Sequence, residues 1–164
     1  MPSRRKTREF VLQILFAADA LSQNPAETLE FLHGHFSSEE DEDLKIHRII
    51  VEYARELVIA VARDREAIDK LISQLSQHWK LYRINRVDRN ILRMAIAELT
   101  NFPETPGRVV LNEAIEIGKK YGAENSAAFI NGILDRFHKL QGHPSNPLQL
   151  TEMLAALDVF DSTS

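Results

Sequence analysis

The sequence contains no cysteine among its 164 residues. Disulfide bonds, thiolate metal sites and cysteine nucleophiles are therefore excluded, and folding needs no oxidising compartment. Long apolar runs are also lacking, since no stretch approaches the roughly 20 residues that a membrane-spanning helix requires. The N-terminus is basic and then apolar like a signal peptide, but Arg8, Glu9, Gln13 and Asp19 interrupt its apolar part. We therefore predict a cytoplasmic protein that does not associate with membranes.

Recognised catalytic and cofactor-binding motifs are lacking too. The sequence has no Gly-x-x-x-x-Gly-Lys-Ser/Thr, Gly-x-Gly-x-x-Gly or Gly-x-Ser-x-Gly pattern. His33 and His35 lie close together but have no partner at a recognised metal-ligand spacing. The acidic residues at 39–43 are consecutive, which is typical of a solvated run rather than of a paired acid and base. We predict no metal, no cofactor and no enzyme activity.

Positive charge is concentrated at the start of a chain whose formal net charge is −4. Arg4, Arg5, Lys6 and Arg8 form this cluster. Arginine binds phosphates through two N–H groups at once and stacks on bases, so the cluster favours contact with single-stranded RNA. From charge alone, an exposed basic helix start that only aids solubility remains the alternative.

Apolar residues recur at helical spacing almost everywhere, and no segment alternates as a strand does. This pattern predicts an all-α bundle of about seven helices. In the segment NRVDRNILRMAIAEL, the spacing directs Ile91, Leu92, Ala95, Ile96 and Leu99 inward. The same spacing directs Arg89, Arg93 and Glu98 outward, and it makes Asp88 an N-cap or a first-turn acid.

The segment KKYGAENSAAFINGILDRF, residues 119–137, reads as the end of one helix and the start of the next. Gly122 fits a left-handed C-cap, and Asn125 or Ser126 fits an N-cap. A buried stripe is expected at Phe129, Ile130, Ile133, Leu134 and Phe137. Gly118, one residue before the segment, predicts a close approach of two helices, whereas Gly132 lies off the stripe and predicts either close packing or contact with a ligand.

Three segments together resemble the NusB family of bacterial transcription antitermination factors: RRKTREFVLQILF, INRVDRNILRMAIAEL and VVLNEAIEIGKKYGAENSAAFINGILDRF. The resemblance runs in order from Arg4 to Phe137. It implies an all-helical fold of two small subdomains and a role other than catalysis. We accordingly expect a NusB-like domain over 1–140. A C-terminal extension over 141–164 is predicted to hold a short helix and a frayed end.

The resemblance also implies partners. Family members pair with NusE, a ribosomal small-subunit protein, and bind boxA single-stranded RNA within the RNA polymerase antitermination complex, which also supports ribosomal RNA maturation. The RNA-binding residues implied or predicted are Arg4, Arg5, Lys6, Arg8, Gln13, Lys119, Lys120, Asn125 and Phe129. Those predicted to bind the partner protein are Phe16, Asp88 and Arg89. For Phe129 the RNA-facing position conflicts with the buried stripe.

Three questions stay open at this point. Family members include both monomers and self-associating proteins, so a homodimer is one expectation. A NusB-like domain also occurs attached to a ribosomal RNA cytosine methyltransferase, but 164 residues leave no room for a catalytic domain. A helical adaptor that binds only protein is the third alternative.

Overall fold

The structure, a computed structural model, describes residues 4–36, 44–77, 80–142 and 146–161. These residues form seven α-helices and one 3₁₀ turn, and none of them lies in a strand, which confirms the predicted all-α class. The helices are α1 (Arg4–Leu21), α2 (Pro25–Phe36), α3 (Leu44–Leu75), α4 (Arg86–Asn101), α5 (Gly107–Tyr121), α6 (Ser126–Gln141) and α7 (Leu150–Asp161). The 3₁₀ turn, Leu81–Arg83, precedes α4. The acidic run at 39–43 and the side chains of His33 and His35 lie outside the described part.

The chain divides into two compact units, Met1–Arg63 and Asp64–Ser164, and the division falls within α3. In the first unit, α1 buries one apolar face, at Val11, Leu12, Ile14, Leu15 and Ala18. Burial of each large aliphatic side chain contributes about 1.5–3 kcal/mol. Helix α2 starts at a proline, whose missing N–H is harmless at the first helical position, and Asn24 Oδ1 accepts from Ala26 N at 2.9 Å.

In the second unit, α4, α5 and α6 pack against one another. Their core is formed by fully buried apolar side chains, including Ile91, Leu92, Ile96, Ile130, Leu134 and Phe137. Helix α4 is buried on more sides than its amphipathic pattern predicts, since every residue from Asn90 to Glu98 is buried. This helix is therefore the centre of the second unit.

The predicted outward direction of Arg93 and Glu98 is wrong. Arg93 is 3% exposed and Glu98 is fully buried. Arg93 donates from Nε to Asp69 Oδ1 at 2.7 Å and from Nη2 to Asp69 Oδ2 at 3.0 Å, and its Nη1 donates to Asn90 Oδ1. The two-pronged pairing compensates for removal of the guanidinium from water, so a charge can occupy a buried helix face.

Two glycines set the joint between α5 and α6. A Cβ on Gly118 would lie 2.8 Å from Ile130 Cδ1, which confirms the predicted close approach of two helices. Gly122 ends α5 as predicted, but its φ is −89°, so the left-handed C-cap was wrong. A side chain is excluded at Gly122 by space, because its Cβ would lie 2.4 Å from Ser126 Oγ.

Helix α6 ends at Gly142, whose φ of 86° lies in the left-handed region that glycine favours. Helix α7 then lies against the second half of α3, where Gln74 Nε2 donates to Asp158 Oδ1 at 3.2 Å. Met153 of α7 is fully buried. Among the residues that the structure describes, no helix has the length and apolar character to span a membrane.

Candidate functional site

The basic start of α1 presents three cations rather than four. Arg4, Arg5 and Lys6 are exposed, whereas Arg8 is 3% exposed. Positions 8, 11, 12 and 15 share one side of a helix, so Arg8 lies on the side that buries Val11 and Leu15. Arg8 is thus the buried member of the predicted cluster. The guanidinium of Arg4 lies 4.6 Å from the centre of the Tyr53 ring, within cation–π range.

Further along α1, Gln13 and Phe16 are exposed. They are three residues apart and therefore neighbours on the helix surface. Phe16 exposes 39% of its surface, an unusual position for a large aromatic side chain in a helix that buries most of its apolar residues. The two residues form a mixed polar and apolar patch on the exposed side of α1.

The start of α4 is closed by a reciprocal capping interaction. Asn85 is the N-cap, and its Oδ1 accepts from Asp88 N at 2.9 Å. Asn85 Nδ2 in turn donates to Asp88 Oδ2 at 3.0 Å. Asp88 is therefore a first-turn acid, one of the two predicted roles, and it is favourably placed at the positive end of the helix dipole. Arg89 is half-buried, and its Nη1 donates to Leu81 O at 3.2 Å, which fixes the 3₁₀ turn to α4.

A crevice of about 280 Å³ opens beside this cap, and we refer to it as the Asp88 crevice. Asp88 is 4% exposed, and its buried Oδ1 has no hydrogen-bond partner among the residues that the structure describes. A buried carboxylate oxygen that lacks a partner is costly, so this atom favours a ligand that supplies a donor. The other residues that line the crevice are Arg83, Ile84, Asn85, Ala123, Asn125, Ser126 and Phe129.

A second crevice, of about 290 Å³, lies between α6 and the end of α3, and we refer to it as the Gly132 crevice. It is lined by Ser76, Gln77, Ala128, Phe129, Gly132, Ile133 and Arg136. The guanidinium of Arg136 donates through Nη1 to Leu75 O, a carbonyl at the C-terminal end of α3. Apart from this cation, the lining is uncharged.

Phe129 lines both crevices. It is half-buried, whereas its predicted stripe partners Ile130, Ile133, Leu134 and Phe137 are buried. The predicted burial of Phe129 with the rest of the stripe is therefore wrong, and its position facing RNA stays a prediction. Its neighbour Asn125 is exposed and caps α6 without a side-chain hydrogen bond.

The remaining predicted site residues do not join this arrangement. Lys119 is exposed and pairs with Glu116 at 3.2 Å. Lys120 is exposed, and its Nζ lies 5.2 Å from the centre of the Tyr121 ring. Neither lysine lines the Asp88 crevice or the Gly132 crevice, whereas Asp88, Asn125 and Phe129 share the first of these. Within the described residues, no cluster of His, Asp and Glu is arranged to hold a metal ion.

The sequence model of the NusB family matches residues 5–139. The chain belongs to the NusB family of transcription antitermination proteins. The transcription antitermination protein NusB of Citrifermentans bemidjiense is 44% identical to it over 135 residues, which cover 82% of this chain and 93% of that protein. The NusB of Myxococcus xanthus is 43% identical over 138 residues, covering 83% of this chain and 94% of that protein.

Solved structures agree with this membership. The crystal structure of NusB from T. maritima superposes with a TM-score of 0.71 at 36% identity, covering 84% of this chain and 91% of that one. A structure of the antitermination factors NusB and NusE in complex with double-stranded RNA superposes with a TM-score of 0.66 at 27% identity. That match covers 83% of this chain and 96% of that chain.

Sequence reasoning missed several residues that shape the crevices. Asn85 was recognisable, because an asparagine three residues before an acid is a known capping pattern. Arg83, Ser76 and Gln77 carried no comparable signal, since their contribution depends on which helix ends lie beside α6. These three residues line the crevices because segments distant in sequence lie close together in the fold.

Proposed function

We propose that this protein binds boxA RNA together with NusE, and thereby supports transcription and maturation of ribosomal RNA. Family membership and the likeness to a NusB–NusE–RNA complex support the two partners. The observation that carries the proposal is the Asp88 crevice. Asp88, expected to face the protein partner, shares that crevice with Asn125 and Phe129, both expected to border RNA.

On the RNA side, we propose contacts from Arg4, Arg5, Lys6 and Gln13 of α1, and from Lys119, Lys120, Asn125 and Phe129. Exposed cations release counterions from the RNA backbone and supply affinity, whereas a half-exposed aromatic ring supplies a stacking surface. Arg8 contributes by supporting α1 from its buried face rather than by phosphate contact. Residues 141–164 are proposed as an extension outside these contacts.

On the protein side, we propose that Phe16, Asp88 and Arg89 contribute to NusE binding. The exposed ring of Phe16 suits an apolar contact. The unpartnered Asp88 Oδ1 accepts a hydrogen bond from a donor on the partner, which removes the cost of leaving a buried oxygen unsatisfied. The partner then completes the RNA-binding surface within the polymerase complex.

The test is a shift assay with boxA RNA, with and without NusE, for the wild-type protein and Asp88→Lys. The wild-type protein is expected to bind RNA more tightly when NusE is present. Asp88→Lys is expected to raise the dissociation constant for NusE, measured by calorimetry, since an ammonium replaces the acceptor. Glu104→Lys, at an exposed position away from both crevices, is the control for the charge change. Wild-type protein that binds neither RNA nor NusE would refute the proposal.

A helical adaptor that binds only protein remains the second candidate, and the exposed Phe16 favours it. RNA crosslinking separates the two. An adaptor gives no crosslink from its own residues when NusE is present, whereas the proposed function gives crosslinks at α1 and at Phe129.

A further inference from the structure

Apart from Phe129, the residues that line the Gly132 crevice have no role in the contacts proposed so far. We propose that this crevice is a nucleobase-binding subsite, which accepts one base of the RNA strand on the side of Phe129 that is remote from the Asp88 crevice. The inference rests on the proposed RNA-binding function and adds a specific place for one base. Phe129 then acts as a divider, with the protein partner's donor on one side and an RNA base on the other.

The first support is the glycine itself. Gly132 lies in the interior of α6, where a glycine costs about 1 kcal/mol relative to alanine. Apart from its own helix, no atom lies within 4 Å of the place where its Cβ would be, and its φ is not in the left-handed region. Of the two uses of this glycine expected from the sequence, close packing is thus excluded among the described residues. Contact with a ligand remains, because a missing side chain lets a flat group approach the helix.

The contrast with Gly118 and Gly122 strengthens this point. At each of those glycines a Cβ would lie within 3 Å of a neighbouring atom, so neither borders open space. Gly132 is on the same pair of helices but borders open space. Because Gly132 has no side chain, the floor of the crevice is open.

The second support is charge. The Gly132 crevice contains one formal charge, the guanidinium of Arg136, which is exposed and has no carboxylate partner among the described residues. Within the described part of the chain, its hydrogen bond to Leu75 O uses one of five N–H donors. The Asp88 crevice, in contrast, contains both the exposed Arg83 and a buried carboxylate oxygen of Asp88, so its two formal charges are of opposite sign. An anionic RNA strand is complementary to the crevice whose one formal charge is positive, and a donor from a protein is complementary to the buried carboxylate oxygen.

The third support is the shape and composition of the lining. Phe129 and Ile133 provide apolar surface, and the exposed Gln77 provides a polar amide. This combination fits a flat base with a polar rim, since bases bind single-strand-specific proteins by stacking on aromatic rings. The volume of about 290 Å³ is at the lower end of the range for small-molecule pockets, which suits one base rather than several.

The experiment combines a space-filling variant with abasic RNA. In Gly132→Leu, the new side chain enters open space and fills the crevice, while leucine favours the helix more than glycine. The NusE-bound proteins are titrated with a set of boxA oligonucleotides, each carrying one abasic nucleotide at a different position. Asn112→Leu, at an exposed site of α5 outside both crevices, is the matched control. Thermal unfolding checks that all three proteins are folded.

The wild-type protein is expected to lose about tenfold in affinity when one particular base is removed, the size of one stacking contact. Gly132→Leu should bind intact RNA about tenfold more weakly and lose nothing further when that same base is removed. Its affinity for NusE should equal that of the wild type. Asn112→Leu should behave as the wild type throughout.

Three results would overturn the inference. The first is that Gly132→Leu binds every oligonucleotide with the affinity of the wild type. The second is that its affinity falls by the same factor, relative to intact RNA, for every abasic oligonucleotide. The third is that its affinity for NusE falls while RNA binding to the protein alone is unchanged. The last result identifies the crevice as a protein-binding groove. If wild-type protein fails to bind boxA RNA at all, the proposed function fails with it, and this outcome is distinguished by the wild-type titration alone.

Discussion

The start of α1 and the crevices on either side of Phe129 are candidate binding surfaces of opposite kinds. The first consists of long, exposed cations on one helix, at Arg4, Arg5 and Lys6. The second consists of short or half-buried groups from several segments, among them Asp88, Phe129 and Gly132. The first surface requires only that a helix forms, whereas the second requires that helix ends meet correctly. In the proposed function, charge supplies affinity at the first surface and packing supplies selectivity at the second.

The largest expected effect is a loss of stability when the buried Arg93–Asp69 ion pair of the second unit is broken. Arg93→Ala should lower the free energy of unfolding by about 3 kcal/mol, at the low end for a buried ion pair because Asp69 keeps 21% of its side chain exposed. Arg65→Ala, which removes the weaker 3.8 Å partner of the same carboxylate, should cost no more than about 1 kcal/mol. Urea unfolding measures both. Equal losses for the two variants would contradict the structural role assigned to Arg93.

The second prediction tests the α1 surface through salt. Neutralising Arg4, Arg5 and Lys6 together should reduce the slope of log affinity for boxA RNA against log salt by about 2, since each phosphate contact on a single strand contributes about 0.7. Helix content should stay unchanged, because all three side chains are exposed. The measurement is a set of RNA titrations over a range of salt concentrations.

Its control is Arg8→Gln, which should destabilise the protein by loss of a buried partnered cation and leave the salt slope nearly unchanged. If Arg8→Gln reduced the salt slope by about 0.7, the expected share of one exposed cation, Arg8 would contact the RNA. The distinction between the buried Arg8 and the exposed cations would then be wrong.

The smallest expected effect concerns two glycines of the α5–α6 pair. Gly132→Ala should raise the free energy of unfolding by about 0.5–1 kcal/mol, because alanine favours the helix and its methyl group meets open space. Gly118→Ala should lower it, because the added Cβ would lie 2.8 Å from Ile130 Cδ1. Thermal unfolding gives both signs. Destabilisation by Gly132→Ala would show that the crevice floor is packed against something.

The sequence alone predicted the all-α class, the end of a helix at Tyr121 and the close approach at Gly118. These features depend on helical periodicity or on the local properties of glycine. Each is set by residues within a few positions of one another, so spacing along the chain is sufficient to read them.

Only the tertiary structure decided which polar residues of a helix are buried. Arg8 and Arg93 are as polar in sequence as any surface arginine, but the first lies on the buried side of α1 and the second pairs with Asp69, 24 residues away. Phe129 has the spacing of a core residue but is half-buried, and it lines two crevices of the described part of the chain. Burial is a property of what packs against a residue, and periodicity within one helix does not carry that information.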